Sequence, residues 1–270
     1  MIRVLSISYN YYMNATAKPR MTNNINHHIH AKDMTAPKHI LKRNIIIALL
    51  SVSLFLILLF GSMNAMIFDR NFYSGEYSKN NVYAELSLNG FSSSAAQAKT
   101  MAQNVTENIL EYFHGGAELK YFAGDEKSHM ENVKSLINIM DSIYYAAVIF
   151  SILIFVYLYY SLKKDRITFI EILAKSLLYS SIVCIAFLVI IFLMCVFYFD
   201  AAFTLFHLVL FPQGNWTFLA TSLLITLFPE QFFMDISLRI FVYAMFQALI
   251  FLGIGWWINK QIKVYGVYKK

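Results

Sequence analysis

Cysteine is nearly absent: the 270 residues hold two, Cys184 and Cys195, both inside one apolar run. A disulfide framework and a C-x-x-C redox pair are thereby excluded. A thiolate would be costly in hydrocarbon, so each thiol reads as a small buried hydrophobe rather than a nucleophile. Charge is scarce as well, at 14% of residues against about 25% in soluble domains. The familiar catalytic signatures G-x-S-x-G and H-E-x-x-H are both missing. The net charge of +6 is spread over short clusters, a pattern for anionic lipid and topology, with no nucleic-acid signal.

What is present is apolar. Hydrophobic side chains make up 58% of the chain and aromatics 17%, so the membrane is its solvent. The run from Ile45 to Phe68 exceeds the roughly 20 helical residues needed to cross about 30 Å of hydrocarbon. Three further runs, at about 139–162, 173–199 and 236–258, carry no charge except Asp141, Lys175 and Arg239 near ends that can snorkel. The first run is too long and starts too late for a cleaved signal, and reads as a retained anchor. The expectation is an α-helical integral membrane protein: four transmembrane helices with a small α+β extracytoplasmic cap.

Basic residues orient it. Lys and Arg crowd the stretch before the first span, the "KKDR" turn at Lys163 to Arg166, and the tail after the fourth span. These segments are expected in the cytoplasm, with both termini. Residues 1–43 read as a disordered basic tail. Its His27, His28 and His30 offer only an adventitious metal grip. Residues 44–270 form the membrane domain. Its 69–140 connection holds six Lys or Arg against nine Asp or Glu, and the 200–235 connection holds no Lys or Arg, so both are expected outside the cell membrane.

Within the cap, taken as 69–138, "NVYAELSLNG" alternates well enough to suggest a strand, and "LKYFAG" a second short one. Between them, Ser92 to Ser94 can cap a helix with Ala98, Met101, Val105, Ile109 and Tyr112 on one face, stopped by Gly115 and Gly116. A helix starting at Asp125 sets His129, Val133, Leu136, Ile137 and Met140 on one apolar stripe and runs on into the second span. The 200–235 loop is aromatic, proline-broken and suited to the interface; it carries one histidine, His207, with Asp200, Asn215, Trp216 and Glu230 nearby. Two histidines from different loops on one side of the membrane are the best groups for proton transfer near pH 7. The alternative is that each merely hydrogen-bonds in an interfacial core, and composition does not choose.

Two blocks, "ILEYFHGGAELKYFAGDEKSHMENVKSL" and "FDAAFTLFHLVLFPQGNWTFLATSLLITLFPEQFF", resemble in order and spacing the Lit-type lipoprotein intramolecular transacylases, a four-helix bacterial membrane family. The resemblance covers roughly Asn44 to the end. It implies an extracytoplasmic cap, a diacylated lipoprotein substrate, no cofactor or metal, and catalysis by two histidines, here His129 and His207. The implied reaction moves the sn-2 acyl chain of a diacylglyceryl-cysteine to the α-amine of the same cysteine, leaving a lyso-form lipoprotein. No Ser or Cys nucleophile is needed, because donor and acceptor belong to one molecule. Asn215, Trp216, Glu230, Tyr112 and Tyr121 are candidate substrate-positioning residues. Phe206, Phe211, Phe228, Phe232 and Phe233 are candidate walls. The chain is expected to act as a monomer among membrane lipids. It departs from the family in its amino-terminal extension and in residues 217–223, where acidic residues are expected and none stands. His114 matches no family position and reads as a helix-end histidine.

Two rivals remain. A metal-dependent membrane hydrolase would need His129, His207 and Glu126 or Glu230 to converge from separate segments. A non-enzymatic four-helix protein would use the histidines structurally; against a transporter stand the lack of buried charge and of inverted repeats.

Overall fold

The structure is a computed structural model that describes residues 23–268, with side chains from 39 to 264. The His27, His28 and His30 side chains and residues 1–22 lie outside that description. The chain divides into residues 1–44 and 45–270. Its described elements are all helices: α1 (Asn23–Ile67), α2 (Arg70–Lys79), α3 (Val82–Leu88), α4 (Ala95–Phe113), α5 (Gly124–Ser161), α6 (Arg166–Phe197), α7 (Phe199–Leu210), α8 (Leu223–Leu227) and α9 (Glu230–Tyr268).

Four of these are long and apolar enough to cross a membrane: His39–Ile67, Gly124–Ser161, Arg166–Phe197 and Glu230–Val264. Their outward faces are apolar, with Leu153, Ile190 and Phe246 exposed where lipid would lie. Inside the bundle, small and hydroxyl residues replace bulk, because lipid tails give apolar side chains no reason to prefer protein. Ser51 Oγ donates to the Ile47 carbonyl of its own helix at 2.7 Å and reaches the Ser176 carbonyl of α6 at 3.4 Å. Gln247 Nε2 of α9 donates to Ser62 Oγ of α1 at 3.1 Å, and Asn64 Nδ2 donates to Asp141 Oδ1 of α5 at 2.5 Å. Cys184 is fully buried against Leu58, Ala244 and Ala248. α6 and α9 pack directly against each other. A Cβ on Gly255 would fall 2.8 Å from the Ala174 carbonyl oxygen, so only glycine lets the backbones meet there.

The cap contains no strand among the described residues, which corrects the α+β expectation. In "NVYAELSLNG" the period is helical. Leu86 is 0% exposed while Leu88, which strict alternation would place on the same face, is 78% exposed. Val82 and Leu86, one turn apart, enter the core together, and Ala84 and Glu85 favour a helix over a strand. In "LKYFAG" Leu119 and Phe122 are both buried while Tyr121 is exposed, which is not the alternation of a half-buried strand, and the described residues offer no partner strand. Asn108 takes that role: its Nδ2 donates to the Glu118 carbonyl at 2.8 Å and its Oδ1 accepts from the Lys120 amide at 2.9 Å. One amide side chain thus satisfies backbone groups that a ladder would otherwise pair.

The expected helix after the serines is α4, capped by Ser94 Oγ, which accepts from the Gln97 amide. Its face of Ala98, Ala102, Val105 and Ile109 meets Tyr77, Leu86, Leu227, Phe228 and Phe232 in one core. Each fully buried leucine or isoleucine there contributes about 1.5–3 kcal/mol relative to exposure. α8 therefore belongs to the cap core. Bonds between charged groups tie cap to bundle: Arg239 of α9 pairs with Asp69 at 2.9 Å, and Lys79 with Asp235 at 2.5 Å.

Candidate functional site: a histidine pair in an aromatic box

α5 runs unbroken from the cap into the second span, as the periodicity predicts, and its second turn presents His129 inward, 8% exposed. α7 is apolar apart from one stripe of Asp200, Thr204 and His207, at i, i+4 and i+7, and presents outward Leu205, Leu208 and Val209; its one buried residue is His207, 6% exposed. The two imidazoles meet with ring centroids 6.1 Å apart and planes within 24° of parallel. Phe211 touches both, at 4.7 Å from His129 and 5.6 Å from His207. Phe203 and Trp216 close on His207 at 4.2 and 4.9 Å, and Phe218 on His129 at 5.6 Å.

The His207 ring is fixed by its own helix: Nδ1 lies 2.8 Å from the Phe203 carbonyl. A carbonyl only accepts, so Nδ1 carries the proton and Nε2 keeps its lone pair in the neutral ring. Burial holds the His207 pKa below its ordinary value, with the Phe203 bond opposing in part. His129 Nδ1 is buried with no hydrogen-bond partner. A buried polar atom left open beside a second imidazole is expected where a substrate completes the set.

The chain after α7 reverses through Gly214, whose φ of +81° suits glycine, with its amide donating to the Phe211 carbonyl at 3.1 Å. This turn lays Trp216 on His207 and brings Asn215 to α5, where its Nδ2 donates to Ser128 Oγ at 2.9 Å. Glu126, one turn before His129 and Met130, accepts the Leu224 amide at 2.8 Å and so seats the start of α8.

Trp216 thus lies on the His207 ring, and Asn215 is bonded to Ser128, the residue before His129. Glu230 is not in contact with either ring; it opens α9, where its carboxyl meets that of Asp200. Tyr112 stacks under Lys134 at 3.9 Å, and Tyr121 lines a surface hollow with Gln97, Thr100 and Asn104. Of the expected walls, Phe206 and Phe211 touch His207, whereas Phe228 and Phe232 lie in the cap core and Phe233 meets Phe203. Sequence reasoning missed Phe203, Ser128 and Phe218. The first lies one helical turn before His207 and the second beside His129, so helical geometry pointed to both; nothing pointed to Phe218. That ring stands in the 217–223 segment from which acidic residues are missing. His114 caps α4, its Nδ1 2.8 Å from the Leu110 carbonyl and its ring on Phe68. Among the described residues no three His, Cys, Asp or Glu side chains come together as a metal site.

The fold and this site define a multi-pass helical membrane protein with two buried histidines side by side. The sequence profile of the lipoprotein intramolecular transacylase Lit matches residues 48–233. The chain belongs to that family, and so is an acyltransferase of lipoproteins. Solved structures agree on the fold. The Lit transacylase of Bacillus cereus is similar at 20% identity and a TM-score of 0.68, covering 83% of this chain and 98% of its own. Two variants of the same protein, with a histidine changed to arginine or to alanine, match at 19% identity with TM-scores of 0.66 and 0.65. They cover 87% and 86% of this chain, and 99% of their own. Comparison with curated protein sequences finds no match.

Proposed function

We propose that this chain moves the sn-2 acyl chain of a diacylglyceryl-cysteine onto the α-amine of the same cysteine, with His207 as base and His129 as hydrogen-bond donor. The observation that carries the reading is the juxtaposition of the two buried imidazoles, one with a free Nε2 lone pair and the other with an unpartnered Nδ1. The amine nitrogen attacks the ester carbonyl while His207 Nε2 takes its proton. A neutral His129 donates N–H to the oxyanion of the tetrahedral intermediate. The His207 imidazolium then protonates the glyceryl oxygen as the C–O bond breaks, leaving an amide and a lyso glyceryl group. Acceptor and donor are tethered, so the protein's chief contribution is to fold them together, an effect that reaches about 7–11 kcal/mol in well-oriented cases. The apolar outer face of α7 supports entry of the acyl chains from the membrane, and the charge asymmetry of the connections supports a site and cap outside the cell membrane with both termini in the cytoplasm. The protein acts as a monomer in this reading.

The test is mass spectrometry of a lipoprotein's N-terminal lipopeptide from a diacylglyceryl-forming host expressing this chain. An acyl chain on the amine with a lyso glyceryl group supports the reading. An unchanged lipopeptide beside well-accumulated protein overturns it.

A further inference from the structure

Resting on that reading, we propose that Asn215 is the residue that holds the nucleophilic amine, its Oδ1 accepting an N–H of the α-amine of the lipid-modified cysteine. Three observations converge on it. The Asn215 amide is already fixed at one end, because Nδ2 donates to Ser128 Oγ at 2.9 Å. The other end, Oδ1, is buried and has no hydrogen-bond partner. Its two anchors are the chain neighbours of the site: Ser128 precedes His129, and Trp216, which follows Asn215, lies against the His207 ring at 4.9 Å. The second unpartnered buried atom of the site, His129 Nδ1, is an imidazole nitrogen suited to the ester oxygen.

An acceptor aimed at one N–H of a neutral amine turns the nitrogen lone pair away from itself, toward the carbonyl, and leaves another N–H for His207. The amine also competes with water for the same ester. When the amine attacks, the C–N bond forms, the ester C–O bond breaks and the amine proton passes to the glyceryl oxygen. When water attacks instead, its oxygen bonds to the carbonyl carbon, the same C–O bond breaks, and the products are free fatty acid and a lyso lipopeptide with no N-acyl group. A residue that positions the amine therefore controls the ratio of these two products, whereas a residue that only supports the histidines changes both rates together.

The experiment uses the full chain reconstituted in vesicles with a synthetic diacylglyceryl lipopeptide, and counts N-acyl product against free fatty acid. Asn215→Leu, close in size but without the acceptor, is expected to lower that ratio roughly tenfold or more. Asn215→Asp, which keeps an oxygen acceptor and can accept a hydrogen bond from the Ser128 hydroxyl on its other oxygen, is expected to keep the ratio near the parent value. Where the leucine variant fails to accumulate, Asn215→Ala is read in its place. A ratio unchanged in the leucine or alanine variant, whatever its total rate, overturns the assignment, and so does an aspartate variant as depleted as the leucine one. Failure of the parent chain to form any N-acyl product would instead overturn the transacylase reading itself.

Discussion

The His207 Nδ1 atom lies 2.8 Å from the carbonyl oxygen of Phe203, one helical turn before it. This bond within α7 decides the chemistry of the ring, because it pins the proton to Nδ1 and leaves Nε2 as the basic atom. The ring stands beside His129 with a lone pair on Nε2 for which no protein donor is found among the described residues. No carboxylate is needed to orient it, which fits a box walled by aromatic side chains.

Replacing either imidazole should remove acid–base help worth about 10²–10⁴ in rate. His129→Ala and His207→Ala are expected to lose N-acyl product by that factor while accumulating in the membrane as the parent does. Single-turnover assays with the diacylglyceryl lipopeptide measure it. Full activity in both variants would sink the paired-histidine mechanism.

Burial lowers the His207 pKa, so the neutral base persists below the pH of about 6.5 at which a free histidine is half charged. The α-amine of the substrate, with an ordinary pKa near 8, protonates first as pH falls. Loss of rate toward acid is thus expected to follow the amine, with His207 titrating further down, by NMR of the labelled ring. The sign for stability follows: the unfolded chain binds the proton more readily, so the His207 contribution is intact above about pH 6.5 and is lost as pH falls toward the folded value. A His207 midpoint at or above 6.5 would contradict this.

Gly255 tests the α6–α9 contact. A Cβ there would lie 2.8 Å from the Ala174 carbonyl oxygen and 2.9 Å from the Leu178 nitrogen, both backbone atoms that do not rotate away. Gly255→Ala should cost about 1–3 kcal/mol through forced separation of the helices. Gly253→Ala, with nothing within 4 Å, should show none of that loss. Thermal unfolding in detergent compares the pair.

The helical reading of α3 makes opposite predictions for two leucines. Leu86→Ala, at 0% exposure, should destabilise the cap by about 2–5 kcal/mol, and Leu88→Lys, at 78% exposure, by less than about 0.5 kcal/mol. Proteolysis of the cap in intact proteoliposomes reads both. Equal sensitivity would mean that the two share a face, as in a strand.

Much of this molecule is legible from local pattern alone. The four spans follow from the length of apolar runs, because hydrocarbon thickness sets the helix length and hydrophobicity is a property of each residue. The stripe carrying His129 follows from the 100° step of a helix, and α4 from its serine cap and apolar face. The family blocks single out His129 and His207 by order and spacing. Tertiary structure decided the rest. Whether "NVYAELSLNG" and "LKYFAG" become strands depends on partners distant in sequence; the core drew Leu86 into a helix, and Asn108 occupied the backbone groups of the second segment. The meeting of His129 with His207 and the placing of Asn215 on Ser128 join residues roughly 80 positions apart, and the sorting of phenylalanines between box and cap core follows from the same packing. Such contacts are selected by packing complementarity over the whole fold, which no local periodicity encodes.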